Sequence, residues 1–165
     1  MQSYDRLIEQ AEERLRGQDT VQAMQLYAEA AKAAPERKEP LIELALLFIA
    51  HDDVDGAIGF LEKALSLDGT DPFIRLNLAL ACYEMNRSEE AADHLTKAVL
   101  LIQYLVSETR INNMFGSASE MDLKQAEEME TTGEYAIELL KEMAGITEPD
   151  AQPVEIRRPT FRLAS

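Results

Sequence analysis

Residues 38–71, KEPLIELALLFIAHDDVDGAIGFLEKALSLDGTD, contain the pattern that decides the fold. Their apolar residues fall into two sets, each with helical spacing and therefore on one face of a helix. Residues 51–53, a polar His-Asp-Asp triplet, separate the two sets. The segment is therefore predicted to form a helix–turn–helix hairpin, with these inward-facing residues: Leu41, Leu44, Ala45 and Phe48 in the first helix, and Ala57, Leu61, Ala64 and Leu65 in the second.

The same pattern recurs along the chain with a period of 34 residues, which is typical of a helix–turn–helix repeat. Paired helices approach closely only where side chains are small, so alanines in a fixed register mark their contacts. Three hairpins are predicted, over about residues 4–37, 38–71 and 72–105. Nine alanines share this register: Ala11, Ala45 and Ala79; Ala23, Ala57 and Ala91; Ala30, Ala64 and Ala98.

This pattern resembles the tetratricopeptide repeat family, whose repeat has small residues at its eighth, twentieth and twenty-seventh positions. A bulky residue is also typical at the twenty-fourth position, here Tyr27, Leu61 and Leu95. The sequence departs from the family at the fourth position, where Arg75 replaces the usual aromatic residue in the third repeat, and in lacking the usual glycine beside the first alanine. The resemblance covers about 102 of 165 residues. It implies an all-α fold, a right-handed α-solenoid of three helix hairpins.

The chain beyond the third repeat is expected to complete this fold. No proline breaks the last repeat helix, so it should extend to about residue 112. Residues 119–145 form an amphipathic segment that is predicted to be a capping helix or a helix pair, because a solenoid needs a terminal element with a polar outer face. The sequence around Gly133 leaves both alternatives open, since it matches either a new helix start or the interior of one helix.

The final segment, residues 146–165, contains three prolines and is not expected to be helical. Its apolar residues Ile156, Phe161 and Leu163 alternate with arginines, in contrast to the acidic chain before it. These three residues are predicted to anchor the tail on the repeat surface of its own chain or of a second copy, which would give self-association.

Charge excludes several function classes. The formal net charge is −15, so a nucleic-acid backbone or an anionic membrane surface would be repelled. The single Cys82 fits a reducing compartment. The N-terminus shows no basic region followed by an apolar run, and the chain is expected to be soluble and cytoplasmic.

Few residues could carry out catalysis. Cys82 lies at a core-facing helix position and is interpreted as a buried structural thiol, because a reactive thiol needs an electropositive, partly open site. His94 is interpreted as a solvated surface residue, and residues 51–53 as a plain turn that cannot converge on one metal ion. The chain is therefore predicted not to be an enzyme and to have no metal site and no cofactor.

The family resemblance implies a binding surface, since the first helices of successive repeats line a concave groove. The positions that map onto it would give an apolar floor with acidic residues concentrated in the first two repeats. The partner is therefore expected to be a protein with an apolar, basic peptide or helix. The predicted groove residues are Ile8, Glu9, Glu12, Leu15, Ile42, Glu43, Leu46, Ile49, Phe73, Leu76, Asn77, Leu80 and Tyr83.

The expected function is that of a non-catalytic interaction module, an adaptor or scaffold. One alternative is a small acidic chaperone of the bacterial secretion type, which is similar in size, charge and repeat number, although the long N-terminal helical region of those chaperones is missing here. A second alternative is a non-catalytic subunit of an enzyme complex. One branch of the family grips a terminal carboxylate with Lys, Arg and Asn. That role is rejected, because only Asn77 is a compatible donor and Glu12 and Glu43 would repel the carboxylate.

Overall fold

The structure, a computed structural model, describes residues 3–145. Within this range the chain forms seven α-helices, which hold 82% of the described residues, and no strand. The prediction of an all-α fold built from helical repeats is confirmed. The helices divide between two compact units, Met1–Gly69 and Thr70–Ser165.

The first unit contains two helix hairpins. Helices α1 (Tyr4–Arg16) and α2 (Thr20–Ala33) pack as one pair, and α3 (Glu39–Ala50) and α4 (Val54–Leu67) pack as the next. Helix α2 also packs on α3, so the two hairpins share a core. The buried residues of that core cluster come from α1, α2 and α3: Ala11, Ala23, Tyr27, Leu44 and Leu47.

The second unit contains one hairpin and one further helix. Helices α5 (Pro72–Glu84) and α6 (Ser88–Met114) form the hairpin, and α7 (Glu120–Met143) packs along α6. The sequence placed the end of α6 near residue 112, and in the structure the helix ends at Met114, just before Gly116 adopts a φ of 70°. Helix α7 is continuous through Gly133 and begins with a capping box between Ser119 and Asp122, as the serine predicts.

The 34-residue period appears directly in the backbone of the three hairpin turns. Gln18, Asp52 and Asn86 are the described residues other than glycine with positive φ, at 62°, 62° and 59°. Each is followed by a residue whose N–H donates to a carbonyl oxygen five residues earlier, as in the bond from Asp53 to Phe48 at 3.0 Å. This left-handed residue ends the first helix of every hairpin and sets its reversal.

The nine alanines of the repeat register lie at the helix contacts, and each is 0% exposed. The bulky residues at the twenty-fourth repeat position are buried beside them, with Leu61 and Leu95 at 0% and Tyr27 at 2% exposure. Small side chains at these positions allow the paired helices to approach, and the larger ones fill the space that remains.

Candidate functional site

The first helices of the two hairpins in the first unit lie next to each other at their N-termini. The Tyr4 hydroxyl in α1 lies near the Glu39 carboxylate in α3. Burial raises the pKa of the Tyr4 hydroxyl, and the negative charge of Glu39 raises this pKa further. The Arg37 guanidinium lies 5.1 Å from the centre of the Tyr4 ring, within the range of a cation–π contact. These contacts join α1 to the start of α3.

Helices α1 and α3 each carry partly exposed apolar residues and nearby carboxylates. Ile8 and Leu15 of α1 pack against the core of the first unit and keep part of their surface exposed. Ile42 and Ile49 of α3 are likewise partly exposed. Three predicted groove carboxylates accompany them, of which two are exposed and one is partly buried: Glu9, Glu12 and Glu43. We call this set of seven residues the α1–α3 face.

Leu46 differs from its neighbours on α3. The sequence places it in the middle of the groove floor, but the side chain is only 4% exposed. A partner on the α1–α3 face would therefore contact Ile42 and Ile49 rather than Leu46. The accessible part of the predicted floor is narrower than the sequence suggests.

The predicted groove residues of the second unit are mostly buried. Leu76 and Leu80 belong to the same core cluster as Ala136 and Leu139 of α7, and Phe73 packs against that cluster. The remaining two residues differ in exposure, since Asn77 is 2% exposed and Tyr83 is partly exposed. The reason is that α7 contributes its apolar face to the core that α5 shares, so these side chains are not an open floor.

Asn77 also has a structural partner. Its side-chain amide donates a hydrogen bond of 2.8 Å to the backbone carbonyl oxygen of Phe73, one turn earlier in α5. This contact satisfies a buried polar group that would otherwise be costly. The one residue that suits a carboxylate clamp is thus engaged within its own helix.

Sequence reasoning missed a cleft between α6 and α7 in the second unit. Its volume is about 220 Å³, and the exposed Arg110–Glu130 ion pair, at 2.6 Å, lies at its edge. The signal in the sequence was Gly133, because a Cβ there would lie 3.1 Å from Ile102 Cγ2 and the glycine lets the helices approach. The cleft is smaller than usual ligand pockets of about 300–1,000 Å³ and suits one side chain or a small fragment.

The groups with catalytic potential are placed as follows. Cys82 is buried, at 1% exposure. The interpretation of His94 as a solvated surface residue is wrong, because its imidazole is half-buried between α5 and α6 and its Nδ1 atom has no hydrogen-bond partner among the described residues. His51 lies at the end of α3, in the turn of the second hairpin, and its Nε2 atom is 3.1 Å from the Thr20 hydroxyl.

Residues 3–145 also lack two other kinds of feature, a metal site and a membrane-spanning helix. This part of the chain contains no group of three or more His, Cys, Asp or Glu residues that could hold a metal ion. It also contains no helix that is both long and apolar enough to cross a bilayer. The predicted tail anchors Ile156, Phe161 and Leu163 lie outside the described residues.

Comparison with known families agrees with the repeat geometry. The sequence model of the tetratricopeptide repeat matches residues 48–102, which include α4, α5 and the first half of α6. Over residues 48–102, the chain therefore carries the sequence pattern of the tetratricopeptide repeat. Among curated proteins, none matches it by sequence.

Solved structures of tetratricopeptide repeat proteins share the fold. The type III secretion translocator chaperone SycD of Yersinia enterocolitica is 16% identical, with a TM-score of 0.65 over 86% of this chain and 93% of that chain. The Sgt2 repeat domain of Aspergillus fumigatus is 17% identical, with a TM-score of 0.56 over 90% and 87%. The second repeat domain of Spaghetti (RPAP3), solved with an HSP90 peptide, is 15% identical, with a TM-score of 0.57 over 61% and 93%.

Proposed function

We propose that this chain is a non-catalytic adaptor that binds an apolar, basic peptide or helix of another protein on its α1–α3 face. The observation that carries the proposal is the row of partly exposed isoleucine and leucine side chains beside the exposed carboxylates of Glu9 and Glu12. Apolar side chains of a partner would bury this row, and its basic side chains would meet the carboxylates.

The charge of the chain favours a basic partner over an acidic one. With a net charge of −15, it attracts cationic segments over a distance set by the Debye length, about 10 Å at 0.1 M salt. Such complementarity acts mostly on the association rate and on the choice of partner. Burial of the apolar row supplies the part of the affinity that salt does not screen.

Two neighbours were solved with bound peptides. The RPAP3 domain holds the HSP90 peptide SRMEEVD, which is acidic, and SycD holds a peptide of the translocator YopD. On the α1–α3 face, an acidic peptide would meet Glu9 and Glu12 and be repelled. The acidic-peptide mode is therefore not proposed for this chain.

A second candidate function is that of a secretion-type chaperone. It is supported by the extent of the likeness to SycD, which covers 86% of this chain and 93% of that chain. The two candidates predict different occupants of the same face. A chaperone would hold an aggregation-prone apolar segment of a secreted protein, so its binding would change little when the basic residues of the segment are replaced by neutral ones.

The test uses two synthetic helical peptides of about 14 residues, one made of Leu and Lys and one of Leu and Glu, with leucines at the same positions. The full chain should bind the Leu/Lys peptide at least about tenfold more tightly in calorimetry, because the acidic peptide meets like charges. Reversing two exposed charges, in the double variant Glu9→Lys/Glu12→Lys, should remove that preference.

The matched control is the double variant Glu29→Lys/Glu62→Lys, which makes the same change in net charge at exposed positions on α2 and α4. It should keep the preference for the Leu/Lys peptide nearly intact. If both double variants lost the preference equally, binding would depend only on net charge, and the assignment to this face would be wrong. A third peptide has Gln at the Lys positions of the Leu/Lys peptide. If it binds as tightly as the Leu/Lys peptide, the chaperone function is favoured over the adaptor function.

A further inference from the structure

Helix α6 exposes an apolar stripe on a face that no other described helix covers. Leu100, Tyr104 and Ile111 are 60%, 65% and 53% exposed. Most other large apolar residues of α6 that face inward are buried, among them Val99, Ile102 and Val106 in the core of the second unit. The helix is therefore apolar on two faces, and the fold of the described chain uses only one of them.

The exposed stripe has the spacing of a helix–helix contact. Leu100 and Tyr104 are four residues apart, and Ile111 follows seven residues after Tyr104, with the small Ser107 between them. Steps of four and three residues keep side chains on a single seam along a helix, as in coiled coils. A partner helix would fit this seam better than an extended strand would.

The stripe lies on an unusual stretch of sequence. Residues 98–107, AVLLIQYLVS, contain no charged residue, although 28% of the chain is charged. A surface helix normally presents charged side chains on its solvated face. Lys97 precedes the uncharged run and Glu108 follows it. Lys97 is paired with Asp93 at 2.6 Å, but both side chains are about half exposed, so Lys97 can exchange this contact for a carboxylate of a partner at little cost.

We propose that a second copy of this chain docks on the α6 stripe in an antiparallel helix pair, in the register that brings Leu100 and Tyr104 of the two copies together and leaves Ile111 beyond the contact. In this orientation the two uncharged runs lie opposite each other. Lys97 of each copy then lies near Glu108 of the other, so the two ends form opposite-charge contacts. A parallel pair would place Lys97 against Lys97 and Glu108 against Glu108, which is unfavourable.

The net charge of the chain restricts where self-association can occur. A molecule with a net charge of −15 repels a copy of itself over most of its surface. Repulsion is weakest where two uncharged runs meet, and the antiparallel arrangement replaces it at both ends with attraction. One helix face gives a small interface, below about 1,200 Å², so the dimer is weak and concentration-dependent.

Sedimentation equilibrium of the full chain tests this arrangement. Between about 1 and 500 µM, the average mass should rise from 18.5 kDa toward twice that value. Tyr104→Glu introduces a charge at the centre of the stripe and should weaken dimerisation at least tenfold. Val21→Glu is the matched control, because Val21 is also an exposed apolar residue, at 59%, but lies on α2.

A charge-swap experiment tests the orientation. Lys97→Glu and Glu108→Lys should each weaken the dimer of the variant with itself, since each creates like-charge contacts at both ends. An equimolar mixture of the two variants, and the double variant Lys97→Glu/Glu108→Lys, should restore association, because opposite charges meet again. Far-ultraviolet circular dichroism of each variant should match the original chain, since all these positions are exposed.

Several results would overturn the proposal. A mass of 18.5 kDa throughout the concentration range would show that no dimer forms. Equal weakening by Val21→Glu and Tyr104→Glu would place the contact elsewhere. The contact would belong to the tail if deletion of residues 146–165 abolished the dimer and Tyr104→Glu had no effect on it. Absence of recovery in the mixed and double variants would exclude the antiparallel pair.

Discussion

At the scale of single residues, His94 is the group whose environment departs furthest from expectation. It is half-buried, and burial lowers the pKa of its imidazole. The guanidinium of Arg75, from α5, lowers the pKa further, and Lys97 acts in the same direction. Asp93 and Glu90, on its own helix, oppose this shift without cancelling it. The folded chain therefore binds a proton at His94 less readily than the unfolded chain does.

This difference predicts a pH dependence of stability. The unfolded imidazole titrates near its ordinary pKa of 6.5, whereas the folded one titrates lower. Between these values the unfolded chain binds more protons, so the free energy of unfolding falls as the pH drops below about 6.5. His94→Gln should remove this contribution. Urea unfolding of both proteins at pH 8.0 and 5.5 should show the original chain losing more stability than the variant, and equal losses would contradict the assignment.

The sequence predicted the burial of some residues well, because that burial depends only on neighbours close in the chain. The alanine register depends on neighbours within one hairpin, so its burial could be inferred from spacing alone. Leu76 and Leu80 could not be placed in the same way. Whether their face of α5 is open depends on α7, which lies more than 40 residues further along the chain. Their burial is a consequence of tertiary packing that the repeat pattern does not contain.

At the scale of helices, three interior glycines have different reasons to be present. Gly59, in α4, has no atom within 4 Å of the position that a Cβ would occupy. A Cβ at Gly133, in α7, would lie 3.1 Å from Ile102 Cγ2 of α6. A Cβ at Gly56 would lie 2.6 Å from the ring of Phe48, which packs edge-on against Phe60 at 5.0 Å. An alanine would increase helix propensity at all three positions, but the space available for its Cβ differs from one position to the next.

These distances predict an order of stabilities for the three alanine variants. Gly59→Ala should raise the free energy of unfolding by about 0.5–1 kcal/mol, because only the helix propensity changes. Gly56→Ala should lower it, since an overpacking cost of about 1–3 kcal/mol exceeds that gain. Gly133→Ala should fall between them, with a change near zero. Chemical denaturation measures all three, and a Gly56→Ala protein more stable than Gly59→Ala would show that Phe48 yields easily.

The continuous helix α7 shows what local signals leave undecided. Its sequence around residues 131–134 fits a helix start as well as a helix interior, because threonine can cap a helix and glycine weakens one. Contact with α6 favours one continuous helix over two, since Gly133 is buried against Ile102. The start of the helix was predictable from sequence, because the Ser119 capping box is formed by residues three apart.

At the scale of the whole molecule, charge is distributed unevenly along the sequence. Residues 149–165 carry three arginines and two acids, a net charge of +1, while the chain as a whole has a net charge of −15. The apolar residues of this tail lie between its arginines, so its composition matches that of the partner proposed for the α1–α3 face. A tethered segment has an effective concentration in the millimolar range, so even weak affinity would make the tail a competitor.

Deletion of residues 150–165 tests this competition. If the tail occupies the α1–α3 face, the truncated chain should bind the Leu/Lys peptide several-fold more tightly, because the peptide no longer displaces a tethered segment. Replacing only the arginines, in the variant Arg157→Gln/Arg158→Gln/Arg162→Gln, should give part of this gain, since the apolar anchors Ile156, Phe161 and Leu163 remain. Amide exchange in α1 and α3 should become faster in both proteins if the tail covers them. Unchanged affinity together with unchanged exchange would mean that the tail does not compete for this face.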